Sequence, residues 1–584
     1  MVAINCRQHA FFETTKRLLA ELVNEGLVQA TVVDSKADAE QRCLKLKSIT
    51  TGDNKTITVR LRPGTIIETR LDQTIGVVRP DSLQPPVVLR HDETETEELD
   101  PGYIFTFITS WLADEAESTT LEQIALELQN SARNQVKWLE ISRNQTEPTL
   151  ESPSITWERS LVYGHPSHPY HRLCYAQEPL QPVAPEDIPA MLTPDLTFIS
   201  IPRTDMHFTG PFEETLQPLL RKLQLPEPSN ERAIVPCLTQ QLPSITQRFP
   251  NAIILKTVKE CAEAQVSMRT LTIRPELEFP FHLKMSLACN ITSALRTITP
   301  WTTRIGPLLS EILEKFLPPG LWMFKELAGM TGCQSDFNEA KHFSCIIRDD
   351  MEERANANNE ALAVGASLAE INHDTGKSCA ERVFGLETVS QKQEWLRSYV
   401  TRLFEIALPP LVLHGIGFEA HGQNIVARIC RQTGQIKGFV VRDFGGVRLH
   451  VPTLESQGIC FASLPPGGAV LTDNMENVWS KVHHSLLQNH VGLILTSLGL
   501  ERNGGWGVVR DALSSVLKPE QGGTRETLYE YFLKDTMPFK CFLRMRMAGK
   551  YRDYVEREVP NVLLIDSDRW QSVLQNYQPS IHYT

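Results

Sequence analysis

Apolar and polar positions alternate differently along the chain, and the changes of period mark its units. Phe12, Leu18, Leu19 and Leu22 fall at helical spacing and predict an amphipathic helix near the N-terminus. The short β-type runs "ATVVD", "KTITVRLRP", "GTIIETRL", "TIGVV" and "PVVLR" follow, separated by turn residues, and predict an antiparallel meander. A long helix is expected from Thr120, where Thr120 and Gln123 fit a capping box, through "LEQIALELQNSARNQVKWLEI". Proline-rich stretches at 147–153 and 179–194 read as loops. Residues 195–390 mix strands and helices. Residues 400–584 form another mixed unit ending in helical segments such as "TRETLYEYFLKDT". The fold class is therefore α+β.

Three segments carry chemistry on these elements. From Phe281 the chain alternates: Phe281, Leu283, Met285 and Leu287 point one way, His282, Lys284 and Ser286 the other. This predicts a half-buried strand with Lys284 on its polar face. The "NITSALR" that follows reads as a helix start capped by Asn290, with Thr292 and Arg296 on one face. Ser267, Arg269 and Thr270 lie just upstream. Hydroxyls and cations so close in sequence suit phosphate or carboxylate oxygens, or form a solvated polar face. In "FEAHGQN", Glu419, His421 and Gln423 share one face of an extended segment. If 424–430 and 437–443 pair as a hairpin, Asp443 meets the His421–Asn424 end. Such a set suits Mg²⁺ and a nucleotide, or is a buried polar network at a strand end.

Composition narrows the field. The chain has 584 residues, 41% hydrophobic and 22% charged, enough for a large core. Its net charge of −12 argues against general binding of nucleic acid or anionic membrane. Apolar runs such as "HVGLILTSLGL" are shorter than the roughly 20 residues of a membrane span. The N-terminal stretch lacks a signal-peptide pattern, so a cytoplasmic location is expected. Twelve scattered cysteines without a CxxC read as reduced thiols.

Two motifs are decoys. "HDTGKS" (373–378) ends like a phosphate-binding loop, but Ile371 stands where that loop needs its first glycine. "RDFGG" (442–446) is similar to the metal-binding Asp-Phe-Gly of protein kinases, without their other signatures. A third motif is "GHPSHPYHRL" (164–173), with His165, His168 and His171 three residues apart. Pro166 and Pro169 exclude a regular helix through it, so the spacing does not gather three imidazoles for zinc. A rigid loop is expected, with His165 structural and His171 at the surface.

In this order the motifs resemble those of the aerobactin-synthetase (IucA/IucC) family, the ATP-dependent, nonribosomal-peptide-synthetase-independent (NIS) siderophore synthetases. "GHPSHP" resembles the family's "GHPxHP", "SMRT…LK…TSALR" its nucleotide and carboxylate segment, "HGIGFEAHGQN" its "HGxxxEAHxQN", and "RDFGG" its Arg-Asp strand end. The resemblance implies a hand-like fold with mixed and antiparallel sheets: a thumb at 1–150, fingers at 151–395, and a palm at 396–584 resembling ferric-siderophore reductases. It implies that a carboxylate of citrate, or of a related polycarboxylate, attacks the α-phosphate of ATP. An amine or hydroxyl then takes the acyl group. By resemblance His168, Ser267, Arg269, Thr270, Lys284, Arg296, Asn424 and Asp443 bind ATP. Lys284, Thr292, Arg296 and His421 hold citrate, Glu419 and Asp443 hold Mg²⁺, and His168, Lys284, Arg296 and His421 are catalytic. A homodimer is compatible with this reading. Arg172, Cys174 and Ala176 depart from the family's usual Lys, Arg and Gly, which predicts an unusual acyl or amine partner. The alternatives are an ADP-forming, Mg²⁺-dependent phosphotransferase and a non-catalytic iron or siderophore binder.

Overall fold

The computed structural model describes residues 5–583, except 35–40, 51, 72, 373, 463, 465–468 and 551–554. The N-terminal helix, Cys6–Asn24, starts at a capping box between Asn5 and Gln8. It packs beside the meander, a seven-stranded antiparallel sheet in the order Thr69–Arg70, Gln73–Thr74, Gln29–Asp34, Arg42–Lys47, Thr56–Leu61, Leu83–His91, Thr94–Glu97. The second long helix spans Ser118–Ser142 and has no side-chain cap. Thr120 already lies inside its first turn, so the Thr120–Gln123 capping box is not its start.

The amphipathic pattern of the first helix has an unexpected consequence. Its polar residues Glu13, Lys16, Arg17 and Glu21 are as buried as its leucines. The histidine loop and the C-terminal part of the chain cover the face that would otherwise be wet. The hydrophobic core of this unit is completed by Tyr170 and Leu173 from one side and by Leu543 and Met547 from the other. Residues 1–150 therefore close their core with help from distant segments.

A six-stranded antiparallel sheet follows, in the order Met206–Thr209, Glu326–Gly332, Cys345–Asp349, Phe281–Met285, Thr270–Ile273, Ala262–Ala264. A four-stranded sheet carries the predicted hairpin. Ile425–Cys430 pairs antiparallel with Ile436–Val441, which runs parallel to Leu321–Met323. The 26-residue helix Val389–His414 lies against this sheet and crosses the expected 395/396 division, so both parts share it. The architecture is α+β with mixed and antiparallel sheets. Among the described residues no helix is long and apolar enough to cross a membrane.

Several local expectations are corrected. "NITSALR" is no helix: Cys289–Ile291 and Ala294–Leu295 form a tight hairpin with Thr292 at its turn, at φ +59°. Cys289–Ile291 also pairs with Cys174–Ala176, and this tertiary strand pairing overrides the local helical pattern. Asn290 accepts a hydrogen bond from Gln177 Nε2 (3.1 Å) instead of capping a helix. The 179–194 stretch contains a short helix, Ile188–Leu192. The C-terminal region adds a three-stranded antiparallel sheet, Thr536–Lys540, Val555–Pro560 and Ile581–Tyr583, to its helices. In the phosphate-loop decoy, Ser378 caps the Cys379–Phe384 helix; His373 lies outside the described residues.

Candidate active site

His282 to Met285 of the strand Phe281–Met285 are all buried, so both its faces are covered there and the face with Lys284 is not solvated. Lys284 is 5% exposed. A buried ammonium needs partners, because desolvation alone costs several kcal/mol. Lys284 Nζ donates to Glu326 Oε1 at 3.2 Å and to Asp443 Oδ1 at 2.9 Å. Arg348, opposite His282 on the next strand, reaches the same Asp443 oxygen at 3.5 Å. It also donates to Gln265 Oε1 (2.7 Å) and lies 3.1 Å from His282 Nδ1. Arg442 forms a two-pronged pair with Glu158 and reaches Gln265 Oε1 at 3.4 Å. Three cations thus face three carboxylates where the two sheets meet. Asp443 alone of the Lys284 trio opens outward, with 27% of its side chain exposed against 7% for Lys284 and 2% for Glu326. Burial opposes its ionisation, but Lys284, Arg348 and Arg442 hold the carboxyl well below the usual carboxylate range.

Asp443 reaches this place because the hairpin ends there. Ile425 faces Val441, and Arg442 N–H donates to Asn424 O at 3.2 Å. Asp443 itself takes the left-handed conformation, φ +63°, which turns the chain into Phe444–Gly446. Glu419 lies against that turn. A Cβ on Gly446 would stand 1.8 Å from Glu419 Oε2, so any larger residue there has to displace the Glu419 carboxylate. Glu419 pairs with Lys481, and its carboxyl falls to about 2: burial works against ionisation, while Lys481 and His421 outweigh it. His421 Nδ1 accepts from Gln423 N–H at 3.3 Å, and burial lowers the ring's basicity. Asn424 spends its amide N–H on Glu419 O (3.2 Å), closing the turn.

On the strand next to Lys284, Ser267 Oγ donates to Thr270 Oγ1 at 2.9 Å and accepts Thr270 N–H at 3.2 Å. Thr270 and Lys284 are cross-strand neighbours. Arg269 donates to the carbonyls of Arg296 (2.8 Å) and Thr297 (2.9 Å). Arg296 donates to Ile291 O at 3.0 Å, across the hairpin. Both arginines therefore hold the Thr292 hairpin beside the strand bearing Lys284, although Thr292 and Arg296 share no helix face.

The histidine loop supplies the roof. Gly164 sits at φ +66°, and a Cβ there would stand 2.4 Å from His171 O. His165 Nδ1 accepts from His168 N–H (3.0 Å), and His168 Nδ1 accepts from Tyr170 N–H (2.9 Å). With Nδ1 an acceptor, each neutral ring carries its proton on Nε2. Nε2 of His168, itself 2% exposed, has no hydrogen-bond partner among the described residues. Burial, then His165 and Lys540, push this ring well below the usual histidine range, so it is a neutral donor. His171 is not at the surface: it is buried, 2.9 Å from Thr14 Oγ1 and 2.7 Å from Tyr163 O, fastening the loop to the N-terminal helix.

Arg172 also points away from the cleft. Its guanidinium lies 3.7 Å from the centre of the Trp138 ring and donates to Val162 O at 2.8 Å. Cys174 is buried 3.9 Å from Met191 Sδ, and Ala176 pairs with Cys289. Of these departures, Cys174 and Ala176 touch the Thr292 hairpin through strand pairing, whereas the Arg172 guanidinium does not.

Sequence reasoning missed Glu158, Gln265, Glu326, Arg348, Lys481, Lys540 and Phe542. Arg348 ends the apolar run "FSCII", a signal worth heeding; Phe542 carries none. Its ring lies 4.2 Å from the centre of His168 and 5.4 Å from that of His165, beneath the roof. Among the described residues no three His, Cys, Asp or Glu side chains group to hold a metal by themselves.

Comparisons with known proteins bear on this arrangement. Residues 153–370 match the IucA / IucC family, and residues 393–555 match the ferric iron reductase FhuF-like transporter family. The chain is 47% identical over 595 residues to the NRPS-independent siderophore synthetase-like protein ankE of Aspergillus thermomutatus, covering 98% of each. It is 31% identical to the NRPS-independent siderophore synthetase rfs of Rhizopus delemar, covering 81% of this chain and 76% of that one. Among solved structures, the petrobactin biosynthesis protein AsbB of Bacillus anthracis superposes at a TM-score of 0.75, with 17% identity and 96% of each chain covered. The ATP-bound aerobactin synthetase IucA of Klebsiella pneumoniae gives 0.73, with 15% identity, covering 96% of this chain and 100% of that one.

Proposed function

This chain belongs to the IucA/IucC family of NRPS-independent siderophore synthetases, a family of ligases, and from that premise we propose that it adenylates a carboxylate of citrate or a related polycarboxylate and condenses it with an amine or hydroxyl. The carrying observation is the balanced cluster around Asp443, with Lys284 and Arg348 behind its one open carboxylate.

The substrate carboxylate attacks the α-phosphorus of ATP, the bond to the bridging oxygen breaks, and pyrophosphate leaves with the electron pair. Charge builds on the phosphate oxygens in that transition state, and preorganised cations lower its energy without reorganisation. Lys284 holds such a position, beside Ser267 and Thr270. His168 offers its Nε2–H as a neutral donor to a phosphate oxygen. Arg269 and Arg296 brace the hairpin carrying Thr292, which with His421 and Lys284 would hold the remaining carboxylates of citrate. Asp443 and Glu419 fit Mg²⁺, which commonly takes one or two carboxylates plus phosphate oxygens and water. When bound, the ion would neutralise phosphate charge. Orientation of ATP, carboxylate and acceptor contributes on the order of 7–11 kcal/mol to such reactions.

The test is a screen of carboxylates for pyrophosphate release with hydroxylamine as trapping amine, followed by mass spectrometry with candidate amines. The reading requires AMP, pyrophosphate and a citryl hydroxamate. ADP in place of AMP, or no carboxylate dependence, overturns it.

A further inference from the structure

Phe542 opens a short helix, Phe542–Met547, whose own N-cap residue, Cys541, makes no side-chain cap. Glu25, just past the end of the N-terminal helix, supplies the cap from a distance. Its Oε1 accepts Leu543 N–H at 2.7 Å and its Oε2 accepts Arg544 N–H at 2.8 Å. A carboxylate at this end of a helix satisfies orphan donors and favours the dipole. Arg544 returns the contact: it donates to Glu25 O (3.0 Å), to Gly26 O (3.2 Å) and to Glu115 (2.7 Å). Leu543 and Met547 are buried in the N-terminal core. The position of Phe542 under the two histidines is thus set by the N-terminal unit.

One turn before Glu25 stands Glu21. Its side chain is fully buried, and among the described residues neither carboxyl oxygen accepts from an N–H or hydroxyl group. A buried carboxylate without a cation or donor is too costly to stay ionised. Burial and the neighbouring Glu25 raise the Glu21 carboxyl far above the ordinary range. Burial also raises Glu25, against the pull of the two N–H groups and Arg544. The charged and titratable groups facing the pair are Arg544 and Cys541 from the segment that carries Phe542, Arg557 from the strand Val555–Pro560, Glu115 from the loop before the Ser118–Ser142 helix, and Tyr170 from the histidine loop.

We infer that Glu21 and Glu25 form a proton-sharing carboxyl pair that positions the histidine roof: Glu21 donates to Glu25, Glu25 caps the Phe542–Met547 helix, and that helix seats Phe542 beneath His165 and His168. The inference rests on the reading of His168 as a phosphate donor. Loss of the shared proton puts two negative charges side by side in a dry site, and the cap is the contact able to yield.

The test pairs amide hydrogen exchange with kinetics on the full chain between pH 6 and 9. Wild-type exchange at Leu543 and Arg544 should rise with pH more steeply than base catalysis alone gives, and KM for ATP should rise in parallel. Glu21→Gln, whose amide is a permanent donor, should remove the alkaline component from both. Glu25→Gln, which keeps one acceptor oxygen, should raise exchange of 542–547 at least tenfold at every pH. It should raise KM for ATP at least fivefold with kcat within threefold. A Glu21→Gln pH profile superimposable on wild type overturns the inference, as does unchanged exchange in Glu25→Gln. Phe542→Leu guards against a folding defect: raised KM for ATP with Leu543 and Arg544 still protected supports the path through Phe542, and unchanged KM overturns it. Exchange needs no substrate, so an expected exchange response in a protein inert toward every carboxylate refutes the functional reading rather than the pair.

Discussion

Two sets of carboxyls, buried or partly buried, lie around the histidine loop, and they are kept in opposite states. On the cleft side Asp443, Glu326, Glu158 and Glu419 each face a lysine or arginine. On the far side Glu21 faces another carboxyl, and Glu370 faces the N–H groups of Val162 and Tyr163 at 2.6 and 2.9 Å. The same side chain serves as a counter-charge in one place and as a hydrogen-bonding tether in the other. Cations decide which. On the cleft side each carboxyl has a counter-cation; the far side fixes the backbone that enters and supports the loop.

The largest effect expected from breaking the comparison is on the cleft side. Lys284→Met removes the cation between Asp443 and Glu326. Pyrophosphate release should fall about 10²–10³-fold, the scale on which removal of one preorganised charge donor acts. Circular dichroism should show the fold retained, because Arg348 still faces Asp443, with a lowered denaturant midpoint because Glu326 loses its cation. Activity within tenfold of wild type would mean Lys284 is a structural counter-ion only.

Next comes stability. Glu158→Ala leaves Arg442 buried without its two-pronged partner and should cost about 3–5 kcal/mol, read from denaturant midpoints. A far-side change that keeps the tether, Glu370→Gln, should cost less than half as much. Equal losses would erase the distinction between counter-charge and tether.

The smallest effect is in the sign of the pH dependence. Glu419 falls from an ordinary value near 4.5 to about 2, so its stabilisation is present above about pH 4.5 and is lost as pH falls toward 2. Glu370 is raised by burial, against its two N–H donors, to about 7. Its contribution is full below about pH 4.5 and is lost as pH rises through 7. Glu370→Gln should therefore flatten the loss of stability between pH 5 and 8, and Glu419→Gln should leave that window unchanged and flatten the acid limb. Thermal melts across pH 3–8 check both.

Much of the cleft side was legible in the sequence because it rests on local period. Alternation placed Lys284 and His282 on one face, and two apolar runs joined by "RQTGQIK" brought Asp443 to the His421–Asn424 end. What failed depended on partners far along the chain. "NITSALR" has helical spacing, but the strand Cys174–Ala176 claims its first residues. The polar face of Cys6–Asn24 reads as solvent-exposed until the histidine loop and residues 542–547 cover it. His171 reads as a surface residue because nothing local announces Thr14 as its partner.

The central claim is that the Asp443 cluster supports formation of an acyl-adenylate. Exchange of labelled pyrophosphate into ATP, driven by citrate with no acceptor present, measures that step alone. The account predicts citrate-dependent exchange in the wild type and its loss in Lys284→Met. Exchange that ignores every carboxylate, or turnover of ATP to ADP with no exchange when citrate is present, would contradict it.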